Sequence, residues 1–133
     1  MTLDDQIKTF LAAPAFAVVG ASNDPDKYGH KCFKCLLQAG RKAHPVNPRA
    51  KEVLGHPAFP DLSSLPETVE SISVITPPAV TEKVVEDAIA AGVKNIWMQP
   101  GAESRTAVDA ATRAGINVIP GTACLLVVLR YRE

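Results

Sequence analysis

Short apolar runs alternate along the chain with longer stretches of helical period. The runs at Phe16–Val19, Ala43–Val46, Ser71–Ile75, Asn95–Met98 and Asn117–Ile119 are too short for buried helices and predict strands. Between them, Tyr28–Ala39, Ala79–Ala91 and Ser104–Ala114 predict helices, the second with Val80, Val84 and Ala88 on one stripe. A helix over Leu3–Leu11 is predicted ahead of the first strand, with Ile7, Phe10 and Leu11 inward. Three helical stretches close on Ala-Gly, at Ala39-Gly40, Ala91-Gly92 and Ala114-Gly115, each just before a strand. Glycine beyond a helix end accepts the positive φ that stops the helix. Helix, stop and strand in repetition predict αβ units and a mostly parallel sheet. The Pro-rich connection Asn47–Leu65 predicts only a short strand near Pro57–Phe59. The apolar tail Cys124–Leu129 fits either a strand or a short helix.

Ligands of an open parallel sheet lie beyond the carboxyl ends of its strands, where the strand order reverses. The segments leaving those ends are Gly20-Ala21-Ser22-Asn23, Asn47-Pro48-Arg49, Thr76-Pro77-Pro78, Gln99-Pro100-Gly101 and Pro120-Gly121-Thr122. All are rich in Gly, Pro and small polar residues. A connection on the opposite edge, Gly92-Val93-Lys94, lacks that chemistry. The first loop continues to Lys27 and Tyr28, where a helix opens. A small-residue turn lets backbone amides approach a phosphate, and the helix adds unpaired N–H groups and a positive dipole end. Against the dinucleotide fingerprint, Ser22 replaces the second glycine and the helix starts late. At the end of the second strand, where NAD-binding domains place an acid for the ribose, Asn47-Pro48 is followed by Arg49 and Lys51. A basic residue there suits a ribose bearing a phosphate, as in NADP or coenzyme A. The predicted fold is a Rossmann-like three-layer α/β/α sandwich.

The 133 residues, 47% of them hydrophobic, suit one domain over 1–133. No apolar run approaches the roughly 20 residues that span a bilayer, so no membrane association is expected. Met1–Phe10 carries Asp4 and Asp5 and does not read as a signal peptide. Three cysteines without framework spacing point to a reducing, cytoplasmic setting. Net charge is zero, but Lys27–Lys51 holds seven basic residues and no acid. Such a window is either a solvated face or a local field for an anionic ligand. Zero net charge argues against nucleic acid as a partner, since duplex binding needs a broad cationic surface.

Val18-Val19-Gly20-Ala21-Ser22, Pro45-Val46-Asn47-Pro48, Ile75-Thr76-Pro77-Pro78 and Trp97-Met98-Gln99-Pro100-Gly101-Ala102, in this order and spacing, resemble the CoA-binding domain family. That small Rossmann domain also opens the alpha subunit of succinyl-CoA synthetase. The resemblance runs from Phe16 to about Cys124. It implies coenzyme A or an acyl-CoA as the small-molecule ligand. Gly20, Ala21, Ser22 and Asn23 would line the phosphates, with Lys27 at the pyrophosphate and Tyr28 at the helix entrance. Asn47, Pro48, Arg49 and Lys51 would border the adenosine and its 3′-phosphate. Thr76, Pro77 and Pro78 would wall the adenine or pantetheine side, and Gln99 and Gly101 complete the set. Many stand-alone members carry basic residues after the third strand, whereas Thr-Pro-Pro here is closer to the synthetase. In the synthetase a phosphorylated histidine of a second domain does the chemistry, so the resemblance implies binding or carriage without catalysis.

No nucleophile–base pair emerges from the spacing. His30, His44 and His56 read as partly exposed polar residues near a binding site. Cys32 and Cys35 share a helix face but lie inside the helix, where small core residues are the expectation; a zinc site would need two further ligands, for which His30 and His56 are the candidates. Trp97 reads as a core aromatic with a backbone partner for its N–H. Two other readings stay open: an NAD(P)-binding oxidoreductase fragment, and a redox-responsive protein pairing Cys124 with coenzyme A. The apolar tail would suit a homodimer.

Overall fold

The computed structural model describes residues 1–132. Its strands are β1 (Phe16–Val19), β2 (Ala43–Val46), β3 (Glu52–Val53), β4 (His56–Pro57), β5 (Ser71–Val74), β6 (Asn95–Met98) and β7 (Asn117–Pro120). Its helices are α1 (Leu3–Leu11), α2 (Tyr28–Gln38), α3 (Pro78–Ala91), α4 (Arg105–Arg113) and α5 (Leu125–Val128). Five strands form one sheet in the order β2-β1-β5-β6-β7, and every neighbouring pair is parallel. The arrangement is Rossmann-like.

Alternation along each strand divides the core. Phe16, Val18, Trp97 and Ile119 face α1, α2 and α5, meeting Phe10, Phe33, Leu36 and Leu125. Ala17, Val19, Ile72, Val74, Ile96 and Met98 face α3 and α4, meeting Val84, Val85, Ala88 and Ala111. Burial on both faces explains why β1 and the Ile96–Met98 part of β6 read as unbroken apolar runs. The first face also carries a buried polar row. Ser71 Oγ donates to Phe10 O (2.8 Å), Asn95 Nδ2 to Ser71 Oγ (3.0 Å) and Gln99 Nε2 to Ser73 Oγ (3.1 Å).

Local chemistry accounts for the element ends. Thr2 Oγ1 and Asp5 form a capping box on α1, and Ser104 caps α4 by accepting from Ala107 N. Pro78 occupies the first turn of α3, where a missing N–H costs nothing. Gly92 closes that helix at φ 78°.

The structure corrects the connection after β2. The expected short strand near Pro57–Phe59 is β4 at His56–Pro57, and it belongs to an unexpected β3–β4 hairpin turned by Leu54 (φ 50°) and Gly55 (φ 77°). Phe59 lies beyond it, bridged in parallel to Val46. Phe59 N donates to Pro45 O (3.0 Å) and Asn47 N to Phe59 O (2.9 Å). That pairing swings Pro60–Leu62 back over the carboxyl end of β2. The tail resolves as the helix α5.

Candidate functional site

The chain passes from β1 outward to β2, then crosses to β5 on the other side of β1. The strand order therefore reverses between β1 and β5, and the turns leaving those strands frame a crevice. Gly20 N donates to Val46 O (3.0 Å), and Ile75 N to Val19 O (2.8 Å). Gly20 adopts φ 98°, and a Cβ there would sit 2.0 Å from Ile75 O. A Cβ on Gly29 would sit 1.9 Å from Gly20 O, so α2 lies directly on the turn. Gly29 thus does the work of the third fingerprint glycine, displaced by a longer loop. That displacement accounts for the late start of α2 relative to the fingerprint.

The turn is held from behind. Asn47 Nδ2 donates to Ala21 O (2.8 Å) and His30 Nδ1 to Ser22 O (2.9 Å). In a trans peptide the N–H points opposite to the C=O. The N–H groups of Ser22 and Asn23 therefore point away from Asn47 and His30, and neither has a partner among the described residues. Lys27, at the N-cap of α2, offers no side-chain acceptor, so the first turn of α2 keeps its unpaired N–H groups. Asn47 Oδ1 accepts from Arg49 N (2.8 Å), setting the bend that carries Arg49.

The resulting cleft has a volume of about 590 Å³. Of the residues expected at a site, Gly20, Ala21, Ser22, Lys27, Tyr28, Asn47, Pro48, Arg49, Thr76 and Pro77 line it. Asn23, Lys51, Pro78, Gln99 and Gly101 do not. Asn23 instead ties the loop to the hairpin, donating to Glu52 O (2.7 Å) and accepting from Leu54 N (3.3 Å). Lys51 is exposed beside it, and Pro78 adjoins Pro77 at the start of α3. Gly101 donates its N–H to Glu103 Oε2 (2.8 Å). Gln99 is fully buried, and its Oε1 accepts from Leu125 N (3.0 Å) and Tyr28 Oη (3.4 Å).

Sequence reasoning missed the wall that α3 contributes. Val80, Lys83, Val84 and Asp87 lie at helical spacing along the cleft, joined by Pro60, Asp61 and Leu62. Val80, expected on the core stripe with Val84 and Ala88, is 47% exposed and faces the cleft. Lys83 Nζ reaches Asp87 Oδ1 at 3.5 Å, an exposed pair of small energetic weight.

The histidines divide. His30 is buried behind the turn, contrary to the expected partial exposure, because its ring supports the Ser22 carbonyl. His44 bonds Glu67 Oε2 (2.6 Å), and exposed His56 stands edge-on to Phe33. Among the described residues, no cluster of His, Cys, Asp or Glu could hold a metal ion.

Cys32 and Cys35 are buried core residues, and Trp97 is fully buried with its indole N–H donating to Ala123 O (3.0 Å). Burial pushes the Cys35 thiol up to about 11 and raises Cys32 further in the same direction. Cys124 is half-buried, its Sγ against the Tyr28 hydroxyl. Burial, then the bond to Cys124, raises the Tyr28 phenol above its ordinary value. The native protein at pH 8 should expose one thiol per chain to a bulky disulfide reagent, and all three after denaturation. Mass mapping of the labelled peptide should find Cys124; label on Cys32 or Cys35 would contradict the burial argument.

A parallel α/β sandwich with a crevice at its switch point places the chain in the Rossmann-like class of domains. The model of the CoA binding domain matches residues 14–130, and the chain belongs to that family. It is 30% identical over 119 residues to acetate–CoA ligase [ADP-forming] I of Archaeoglobus fulgidus, covering 82% of this chain and 17% of the ligase. It is 29% identical to the alpha subunit of acetate–CoA ligase [ADP-forming] II of Pyrococcus furiosus, covering 87% and 28%. The chain thus spans less than a third of either relative. A conserved hypothetical protein from Pyrococcus furiosus superimposes with TM-score 0.81 at 38% identity, covering 86% of this chain and 97% of that one. Among the described residues no helix is long and apolar enough to cross a membrane.

Proposed function

We propose that this chain binds coenzyme A, free or acylated, as a non-catalytic binding or carrier module with the ADP moiety in the β1–β5 cleft. The observation that carries the reading is the pair of unpartnered N–H groups, Ser22 and Asn23, beside the open first turn of α2. Donors fixed in advance bind a pyrophosphate without the ordering cost that a mobile loop would pay. Family membership and the ligases' names supply the ligand.

In this reading Gly20–Asn23, Lys27 and Tyr28 hold the pyrophosphate. Asn47 and Pro48 border the ribose, and Arg49 and Lys51 attract the 3′-phosphate. Thr76, Pro77 and Pro78 wall the adenine or pantetheine side. Gln99 acts through Tyr28, and Gly101 marks the exit of β6 toward which the pantetheine arm runs. The module works in the cytoplasm.

Calorimetric titration with coenzyme A, dephospho-CoA and NADH tests this. Coenzyme A is expected to bind roughly 10- to 150-fold more tightly than dephospho-CoA, since one charge-assisted phosphate contact is worth roughly 1.5–3 kcal/mol. Arg49→Ala should remove most of that difference while leaving dephospho-CoA binding nearly unchanged. A preference for NADH, or equal affinity with and without the 3′-phosphate, would overturn the assignment.

A further inference from the structure

The cleft contains a carboxylate that a polyanionic ligand does not explain. Asp61 lines it between Pro60 and Leu62. This segment runs from the outer edge of β2, where Phe59 is paired, to α3, against which the 3-10 turn Leu62–Ser64 packs. Oδ1 of Asp61 is committed: it accepts from Ser63 Oγ (2.8 Å), Ser64 Oγ (2.7 Å) and Ser64 N (3.0 Å). Oδ2 has no hydrogen-bond or ion-pair partner among the described residues. The bonds from Ser64 and Ser63 hold the carboxyl below the usual carboxylate range, so it is ionised at neutral pH. The other carboxylate of the cleft, Asp87, has an ion-pair partner in Lys83.

A fixed negative charge repels phosphate, so the part of the ligand beside Asp61 must be uncharged and must offer a donor. Part of the cleft lining is apolar. Leu62, Val80 and Pro48 line the same cleft, and apolar side chains of this kind suit the face of a planar ring. On the nucleotide reading given above, the unit of the ligand that is both flat and donor-edged is its purine base. We infer that Asp61 Oδ2 accepts a hydrogen bond from the 6-amino group of the base held in this cleft. The cleft then selects a 6-aminopurine over a 6-oxopurine, because the oxo group would set a lone pair against the carboxylate.

The test compares coenzyme A with its deaminated, hypoxanthine-bearing analogue by calorimetry, on the full chain. The parent protein should prefer the amino form by about tenfold or more. In Asp61→Asn, Oδ1 can keep the cap on Ser64, since Asn caps as well as Asp, and the amide NH2 replaces Oδ2. A donor then faces the base, and the preference should invert toward the oxo form. Asp61→Ser, which retains an N-cap oxygen, should bind both forms alike. Equal affinities in the parent, or an undiminished amino preference in both variants, would overturn the inference while leaving nucleotide binding intact. Failure of the parent to bind either form would instead sink the nucleotide reading itself.

Discussion

Gly29→Ala is expected to cost about 3 kcal/mol or more in stability and to abolish nucleotide binding. The backbone of Gly29 is free of left-handed strain, so the cost is purely steric. An added methyl would stand 1.9 Å from the Gly20 carbonyl oxygen and 3.3 Å from the Ala21 Cα. Those are backbone atoms of the turn, and the turn is already fixed by Asn47, His30 and Val46. Relief must come from lifting α2, which moves the first turn of the helix away from Ser22 and Asn23. Gly20→Ala should be at least as damaging, since it combines φ 98° with a 2.0 Å approach to Ile75 O. Gly40→Ala supplies the contrast. Its φ is 74°, but nothing lies within 4 Å of an added Cβ, so only the left-handed penalty of roughly 1–2 kcal/mol applies. Urea unfolding with coenzyme A titration on the three variants would check this. A Gly29→Ala protein with the parent's midpoint and affinity would show that α2 is not seated on the turn.

Trp97→Ala should lower stability by about 3–5 kcal/mol, the range for emptying a large aromatic site. Trp97 is fully buried, edge-on to Phe10 at 5.2 Å. The loss should appear in circular dichroism as a fall in thermal midpoint of roughly 10–20 °C. The side chain also pins the β7–α5 loop through its bond to Ala123 O. Cys124 is the next residue, so its modification should accelerate in the variant. Trp97→Phe separates the two roles: it restores most of the volume but not the hydrogen bond. A phenylalanine variant that recovers stability yet keeps the fast thiol is the expected pattern. An alanine variant as stable as the parent would mean the site collapses without a cavity.

The strands and helices of the main sheet were legible because each is buried in a regular way. Runs such as Phe16–Val19 are apolar on both faces, and Ala91-Gly92 stops α3 where the chain must turn. The hairpin was not legible, since its turn is Leu54-Gly55 and leucine does not advertise a left-handed φ. What makes that turn tolerable is partly remote: Asn23 accepts the Leu54 N–H across the loop. Gln99 illustrates the opposite limit. Its place in the Gln99-Pro100-Gly101 exit suggested a ligand contact, but only the fold shows Ser73, Tyr28 and Leu125 claiming its amide.

Periodicity and punctuation by themselves determined that this chain builds a parallel α/β sandwich, and its short motifs marked the turns at the carboxyl edge. Local sequence holds that information because strand alternation, helix stops and small-residue turns each act within a few residues. Only tertiary structure decided that Gly29 closes on Gly20, and that Asp61 and the Val80–Asp87 face of α3 complete the cleft. Those residues meet through the β1–β5 pairing and the Phe59 bridge to Val46, contacts between segments far apart in the chain that no local pattern encodes.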